Sequence, residues 1–302
     1  MKRTFRAAPW AIFGSLWLAN AAAAPIAAAS PMGDFLACLR DGGALISAHR
    51  GGPQAGLPEN SLATFQAVAA RHSAFIETDV RQTIDGVLVL HHDDDLERTS
   101  TGAGALGEQD WVALSRLRLI DNDGGETGLV MTRLDEALAW AKDRRVVLNL
   151  DIKRGVDRAA VVDAIETADA VEDILVIADS LEDAAAYAAL NSALGFTIPA
   201  RSLPEMSKDP LIGAGVDPDR VILWLGVGDP DPEDVAQSRA AGFAIGVGTF
   251  GSRGADSDQD PAGYRALARS GVDMIATDFP YIAAAALDDD PGLDAERGCP
   301  VP

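Results

Sequence analysis

From residue 44 onward, short apolar runs rich in β-formers alternate with alanine-rich stretches of helical period. The apolar runs fall at 44–49, 75–80, 87–92, 146–152, 174–178, 196–199, 221–225, 243–247 and 273–277. Helical stretches at 61–71, 133–143, 158–169, 181–190, 232–241 and 261–270 separate most of them. Strands alternating with helices predict a parallel α/β domain. A closed eight-stranded barrel and a doubly wound open sheet both satisfy the rhythm, and the nine runs exceed a barrel's eight by one. No glycine-rich nucleotide loop follows the first run; His49-Arg50-Gly51-Gly52 stands there instead. Residues 97–130, rich in Gly, Thr and Asp, lack a clear period and read as an insertion on the loop face after the third strand.

Alternation within the runs places the chemistry. Successive side chains of a strand point to opposite faces. In Phe75-Ile76-Glu77-Thr78-Asp79-Val80, Glu77 and Asp79 share one face while Ile76 and Val80 take the other. Two carboxylates side by side repel unless one protonates or a cation intervenes. In 147–153, Leu148, Leu150 and Ile152 form one face, and Asn149, Asp151 and Lys153 the other. His49 ends the first run and His92 the third, so all these groups fall at or near the C-terminal ends of predicted strands, where a barrel builds its active site. Three hard oxygen donors favour Ca²⁺ or Mg²⁺ over zinc. Such an ion with Arg and Lys can neutralise a phosphodiester, and two histidines can serve as general base and general acid. The residues alone thus point to a metal-assisted hydrolase or lyase.

Acidic residues outnumber basic ones 46 to 25, a net charge of −21. Nucleic acid is therefore excluded as the main partner, and an anionic membrane surface repels the chain. A phosphate substrate must enter against the same field, which demands a local cationic centre. The first residues change the picture further. Lys2, Arg3 and Arg6 precede an uncharged stretch whose apolar part lies near 10–18, followed by Ala-x-Ala sites at 21–23 and 27–29. This is the layout of a secretory signal peptide. Its strongly apolar part is shorter than the ~20 residues of a membrane span. The expectation is a leader over 1–29, a periplasmic or secreted product without stable membrane insertion, and a single domain over 30–302. Export exposes Cys38 and Cys299 to oxidising conditions. They lie at opposite ends of the mature chain, and a fold that closes on itself can bring them together as a disulfide; two unrelated thiols are the other reading.

The ordered motif series is more specific than any spacing argument. His49-Arg50-Gly51 leads to Pro58-Glu59-Asn60-Ser61 with Ala63 and Phe65, then Glu77-Thr78-Asp79-Val80, Thr83-x-Asp85-Gly86, and His92-Asp93 with Leu96-x-Arg98-Thr99. Leu134-Asp135-Glu136-Ala137-Leu138, Asp151-Ile152-Lys153, Gly271-Val272-Asp273 and Thr277-Asp278-Phe279-Pro280 complete it. The series resembles the glycerophosphodiester phosphodiesterase family, clearly over 44–153 and the last strand, and only in rhythm over 155–265. The resemblance implies a single (β/α)8 TIM barrel that hydrolyses a small-molecule glycerophosphodiester to glycerol 3-phosphate and an alcohol. It implies His49 and His92 as the acid–base pair, and Glu77, Asp79 and Asp151 as ligands of one divalent cation, Ca²⁺ or Mg²⁺. Arg50 and Lys153 would contact the phosphate, Glu59 would orient Arg50 or approach the metal, and Asp93 would orient its neighbour.

Three departures stand out. Asp151 occupies a place where this family usually has Glu, a substitution also found in the related sphingomyelinase D group. His91 stands beside His92, and alternation turns it outward or toward the rim. The 243–249 run lacks the Trp-Thr pair often found in the family's late strand; Gly246 and Gly248 stand there, so a more open pocket wall is expected. Two other readings follow. A phospholipase D-like lyase acting on lysolipids needs an apolar surface loop, for which Trp111, Leu114, Leu117, Leu119 and Ile120 are available in the insertion. A phosphodiester-binding protein without catalysis is the third, against which the full two-histidine, three-acid set argues.

Overall fold

The computed structural model describes residues 30–72, 74–144, 146–251, 258–290, 299 and 301–302. The expected signal segment at 1–29 lies outside the described residues. The described residues form nine strands: β1 (Leu45–Ala48), β2 (Ala74–Gln82), β3 (Leu88–Leu90), β4 (Leu148–Ile152), β5 (Ile174–Ile177), β6 (Gly195–Pro199), β7 (Val221–Val227), β8 (Ala244–Gly248) and β9 (Met274–Thr277). The strand order is β1-β9-β8-β7-β6-β5-β4-β2-β3, and a further β1–β2 pairing closes the ring. Eight parallel strands thus form a barrel, with helices between them.

The surplus run is β3. It pairs antiparallel with β2, Val80 opposite Leu90 and Gln82 opposite Leu88. The sequence between them carries the turn: the Thr83 hydroxyl accepts from Val87 N, and Gly86 takes a positive φ that a side chain would resist. The hairpin therefore runs up past the barrel mouth and returns to it. Residues 97–130 follow this hairpin, so in barrel terms the insertion belongs to the connection after the second parallel strand.

Alternation is obeyed around the ring. Ile76, Val80, Leu148, Leu150, Val176, Ile198 and Leu223 point outward into the core shared with the helices. Several outer helices begin on a capping side chain, as at Ser61, Asp157, Ser180, Asp231 and Asp260. Inside the base of the barrel, Phe75, Val147, Leu175, Ile222, Ala244 and Met274 form an apolar layer. Helix α1 (Pro31–Arg40) seals that layer from below with Met32, Phe35, Leu36 and Leu39, all of them buried. Packed this way, the lower barrel is solid, and polar side chains are admitted only toward the C-terminal ends of the strands.

The insertion has a small core of its own, built from Val89, Leu96, Leu106, Leu114 and Met131, against which Trp111 and Leu117 pack. Leu119 is also buried. Of the five apolar side chains available for a lipid-holding face, Leu114 and Leu119 are thus buried, while Trp111, Leu117 and Ile120 are partly exposed.

Cys38 of α1 is disulfide-bonded to Cys299, a sequence separation of 261. The bridge ties the C-terminal segment to the helix that plugs the base. Replacing both cysteines by serine should lower unfolding free energy by about 2–5 kcal/mol. Urea denaturation measures this, and because the bridge lies at the far end from the polar mouth, turnover of the folded variant should stay at the wild-type level.

Candidate active site

The site begins where β1 ends. After His49, three consecutive residues take left-handed backbone: Arg50 at φ 51°, Gly51 at 85° and Gly52 at 72°. Glycine is required at the last two for space as well, since a Cβ on Gly51 would sit 2.4 Å from the Phe65 ring and one on Gly52 would sit 2.2 Å from Pro280. Arg50 tolerates the strain because its backbone is tied at both ends. Its N–H donates to Glu77 Oε2 at 2.7 Å, and its carbonyl accepts from Asn60 N at 3.0 Å.

Glu77 and Asp79 face the barrel interior from β2, as alternation requires. The parallel register sets Asp79 directly beside Asp151 and Glu77 beside Asn149. One oxygen from each of Glu77, Asp79 and Asp151 lies within 4.8 Å of the others, so the three can hold a metal ion. The shorter Asp151 side chain suffices because its strand is in direct register with Asp79. Lys153, one alternation step further along, reaches back between the two, with Nζ 2.5 Å from Asp79 and 2.6 Å from Asp151. Asn60 finishes the frame: its amide nitrogen donates to Asp79 at 2.7 Å while its carbonyl accepts from Thr78 and from the Asp79 backbone.

This crowding sets the protonation states. Burial, and then the Asp79 charge, push the Glu77 carboxyl up to about 8. Burial also opposes ionisation of Asp79, but Lys153 and the Asn60 hydrogen bond outweigh it and hold Asp79 below the usual range. For Lys153, burial disfavours charge, and the Asp79 and Asp151 carboxylates more than restore it. Glu77, Asp79 and Asp151 together present hard oxygen donors to one point, which suits a divalent cation.

His92 arrives differently. It follows β3, so the returning arm of the hairpin delivers it to the rim. Its Nδ1 lies 2.6 Å from Asp93. Arg98 donates to Asp93 at 2.5 Å and, through both terminal nitrogens, to Glu59 at 2.8 Å; Glu59 also accepts from Arg50 at 3.1 Å. Arg98 and Arg50 outweigh the burial that would otherwise raise Glu59, and the Arg98 bond is the main cause of the depressed Asp93. Glu59 thus links two arginines and is not in the acidic cluster. His91 is buried away from the mouth, where its Nε2 meets the Asp95 carbonyl.

His49, Arg50, Glu59, Glu77, His92, Arg98 and Asp151 line one cavity of about 610 Å³. Its far wall is aromatic. Trp224 of β7 and Phe250 fill the space beside Gly246 and Gly248, whose absent Cβ atoms would lie 2.8 Å from Met274 and Phe250 respectively. The wall expected to be open is therefore closed, because the glycines make room for side chains from elsewhere.

Three participants escaped sequence reasoning. Asp278, at the end of the last strand, lies 2.6 Å from His49 Nδ1. Arg98 joins Asp93 to Glu59, and Phe250 stacks on His49. Their motifs marked Arg98 and Asp278 as family features, but the partners are separated by 39 and 229 residues. Burial lowers the affinity of His49 for a proton; the Asp278 hydrogen bond and the Glu77 and Asp278 charges overcome this, and the net shift is above the ordinary 6.5. In Asp278→Ala, burial loses its main opponent, so the His49 titration midpoint should fall. Proton NMR of the imidazole C–H signals across pH measures it, with an unmoved midpoint contradicting this account.

The family model described as the glycerophosphoryl diester phosphodiesterase family matches residues 49–197. A protein of Mycobacterium tuberculosis, "Probable glycerophosphodiester phosphodiesterase 2", is 36% identical over 138 residues, 46% of this chain and 49% of that one. The chain spans about half or less of the length of the first curated relatives it matches. The crystal structure of a glycerophosphoryl diester phosphodiesterase from Parabacteroides distasonis superposes with a TM-score of 0.76 at 28% identity, covering 88% of this chain and 94% of that one. A phosphodiesterase of Oleispira antarctica, solved with its product sn-glycerol-3-phosphate, shares the fold at a TM-score of 0.64 and 23% identity, covering 81% and 97%. The motif order, the closed barrel and these matches agree: residues 49–197 carry the sequence pattern of the glycerophosphodiester phosphodiesterase family, and the barrel as a whole is similar to its solved members.

Proposed function

We propose that this protein is an exported, divalent-cation-dependent phosphodiesterase that hydrolyses glycerophosphodiesters to glycerol 3-phosphate and an alcohol. The observation that carries the reading is the meeting of His49 and His92 in one cavity with the three-carboxylate cluster. The family match over residues 49–197 supports the reaction class, and the product held by the similar Oleispira structure supports the glycerol phosphate half of the substrate. The leader-like segment at 1–29 and the disulfide support export.

Each histidine has its Nδ1 against a carboxylate, which accepts only, so Nδ1 carries the hydrogen and Nε2 is the nitrogen free to exchange a proton. One Nε2 takes the proton from the attacking oxygen, either water or the substrate's own glycerol hydroxyl. The other gives a proton to the leaving alcohol. Arg50 and Lys153 supply positive charge to the non-bridging oxygens. A cation on Glu77, Asp79 and Asp151, Ca²⁺ or Mg²⁺, would neutralise further charge on the phosphoryl group. Lys153 would compete with that cation for Asp79 and Asp151, and Glu77 would have to be ionised to serve as a ligand.

His49→Ala and His92→Ala should each lower kcat by at least ~100-fold with the fold intact. Circular dichroism and release of glycerol 3-phosphate from glycerophosphocholine measure the two halves of that statement. Chelation should abolish activity, and one of Ca²⁺ or Mg²⁺ should restore it. Full activity after exhaustive chelation removes the cation from the reading. Cation binding near pH 7 should release protons, because Glu77 is held neutral up to about 8 in its absence; calorimetric titration in buffers of different ionisation enthalpy detects this.

A further inference from the structure

Gly246 and Gly248 lie on the interior face of β8, and neither has a left-handed backbone. Conformational freedom therefore does not explain them. Glycine inside a strand gives up packing and marks a close approach by something else. A Cβ on Gly248 would lie 2.8 Å from Phe250 Cε1 and 3.0 Å from Trp224 Cη2. On Gly246 it would meet Met274 Cε at 2.8 Å and Trp224 Cε3 at 3.3 Å. The vacant volume is the seat of two aromatic rings, with centroids 6.3 Å apart and planes 25° apart.

Phe250 lies in turn against His49, centroids 4.1 Å apart and planes within 6°. The contact complements the Asp278 hydrogen bond. A bond at Nδ1 fixes where one atom of the imidazole points, yet lets the ring tilt about that line. A parallel ring at van der Waals distance removes the tilt. Together they aim Nε2 toward the carboxylate cluster, where it lies 4.0 Å from Glu77 Oε2. Neither contact is local in sequence, and Phe250 is only half-buried, so its removal leaves the barrel core in place.

We infer that Phe250, seated by Gly248 against Trp224, is a positioning residue that fixes the imidazole plane of His49. The inference rests on the proposed role of His49 in proton transfer. A misplacement of ~1 Å at a reacting group can cost about 100-fold in rate, so the effect belongs in kcat and not in substrate binding.

The test is a double-mutant cycle on glycerophosphocholine hydrolysis with Ca²⁺ or Mg²⁺ supplied. Phe250→Ala and Gly248→Ala should each lower kcat by about 10-fold or more, with KM changed less than about twofold. Phe250→Tyr, which keeps the parallel ring, should retain most of kcat. Because both substitutions act through one ring, Gly248→Ala with Phe250→Ala should be no worse than the poorer single variant. A second readout is independent of turnover. Proton NMR should show the His49 ring signals shifted upfield by the Phe250 ring current, and shifted back in both single variants. Unchanged kcat in a folded Phe250→Ala variant, additive losses, or unshifted His49 signals overturn the inference. Wild-type protein that hydrolyses no glycerophosphodiester overturns the proposed function instead, and the NMR signature still decides whether the ring holds the imidazole.

Discussion

Two strands in exact side-by-side register bring Asp79 and Asp151 together, and the rest of the site answers to that placement. Unit charges ~4 Å apart interact by roughly 4 kcal/mol at an effective dielectric near 20. With Glu77 added, the cluster is stable only if protons, ammonium or guanidinium groups, or a metal offset the repulsion. The surroundings supply a proton, an ammonium and a guanidinium. Glu77 retains a proton to about 8, Lys153 reaches between the two aspartates, and Arg50 Nε stands 3.6 Å from Asp79. Positive charge is thus concentrated at one place on a chain of net −21.

The packing below makes this possible. Phe75 and Glu77 are two residues apart on one strand and face the same interior, yet Phe75 sits in the sealed apolar layer and Glu77 in the polar one. The boundary between them is crossed in a single alternation step. Because α1 closes the base, water reaches the acids only through the mouth, and the groups that line the mouth govern what approaches them.

Period-two alternation made the acidic faces of β2 and β4 legible before any coordinates, and the motif order made the two histidines legible as a pair. Those signals are local: each depends on residues within a few positions of one another. What escaped was decided by closure of the ring. Asp278 meets His49 because β9 pairs with β1, and no spacing along the chain records that contact. The aromatic wall failed for a related reason. Two glycines read as missing bulk, whereas the bulk comes from Trp224 on the neighbouring strand and Phe250 beyond the strand end. Nine apolar runs could not be reduced to eight by composition, since β3 is as apolar as any barrel strand and differs only in its direction.

The direction of β3 has a consequence for how such a site can diverge. His49 directly follows β1, a strand of the closed ring that is paired on both flanks. His92 follows an outrigger laddered to β2 and tied further to Thr132, Arg133 and, through Asp93, to Arg98 of the insertion. Lengthening or trimming that outrigger would change the gap between the two imidazoles while every rung of the ring stays as it is. One imidazole is thus set by the architecture of the ring, and the other by the length of an arm outside it.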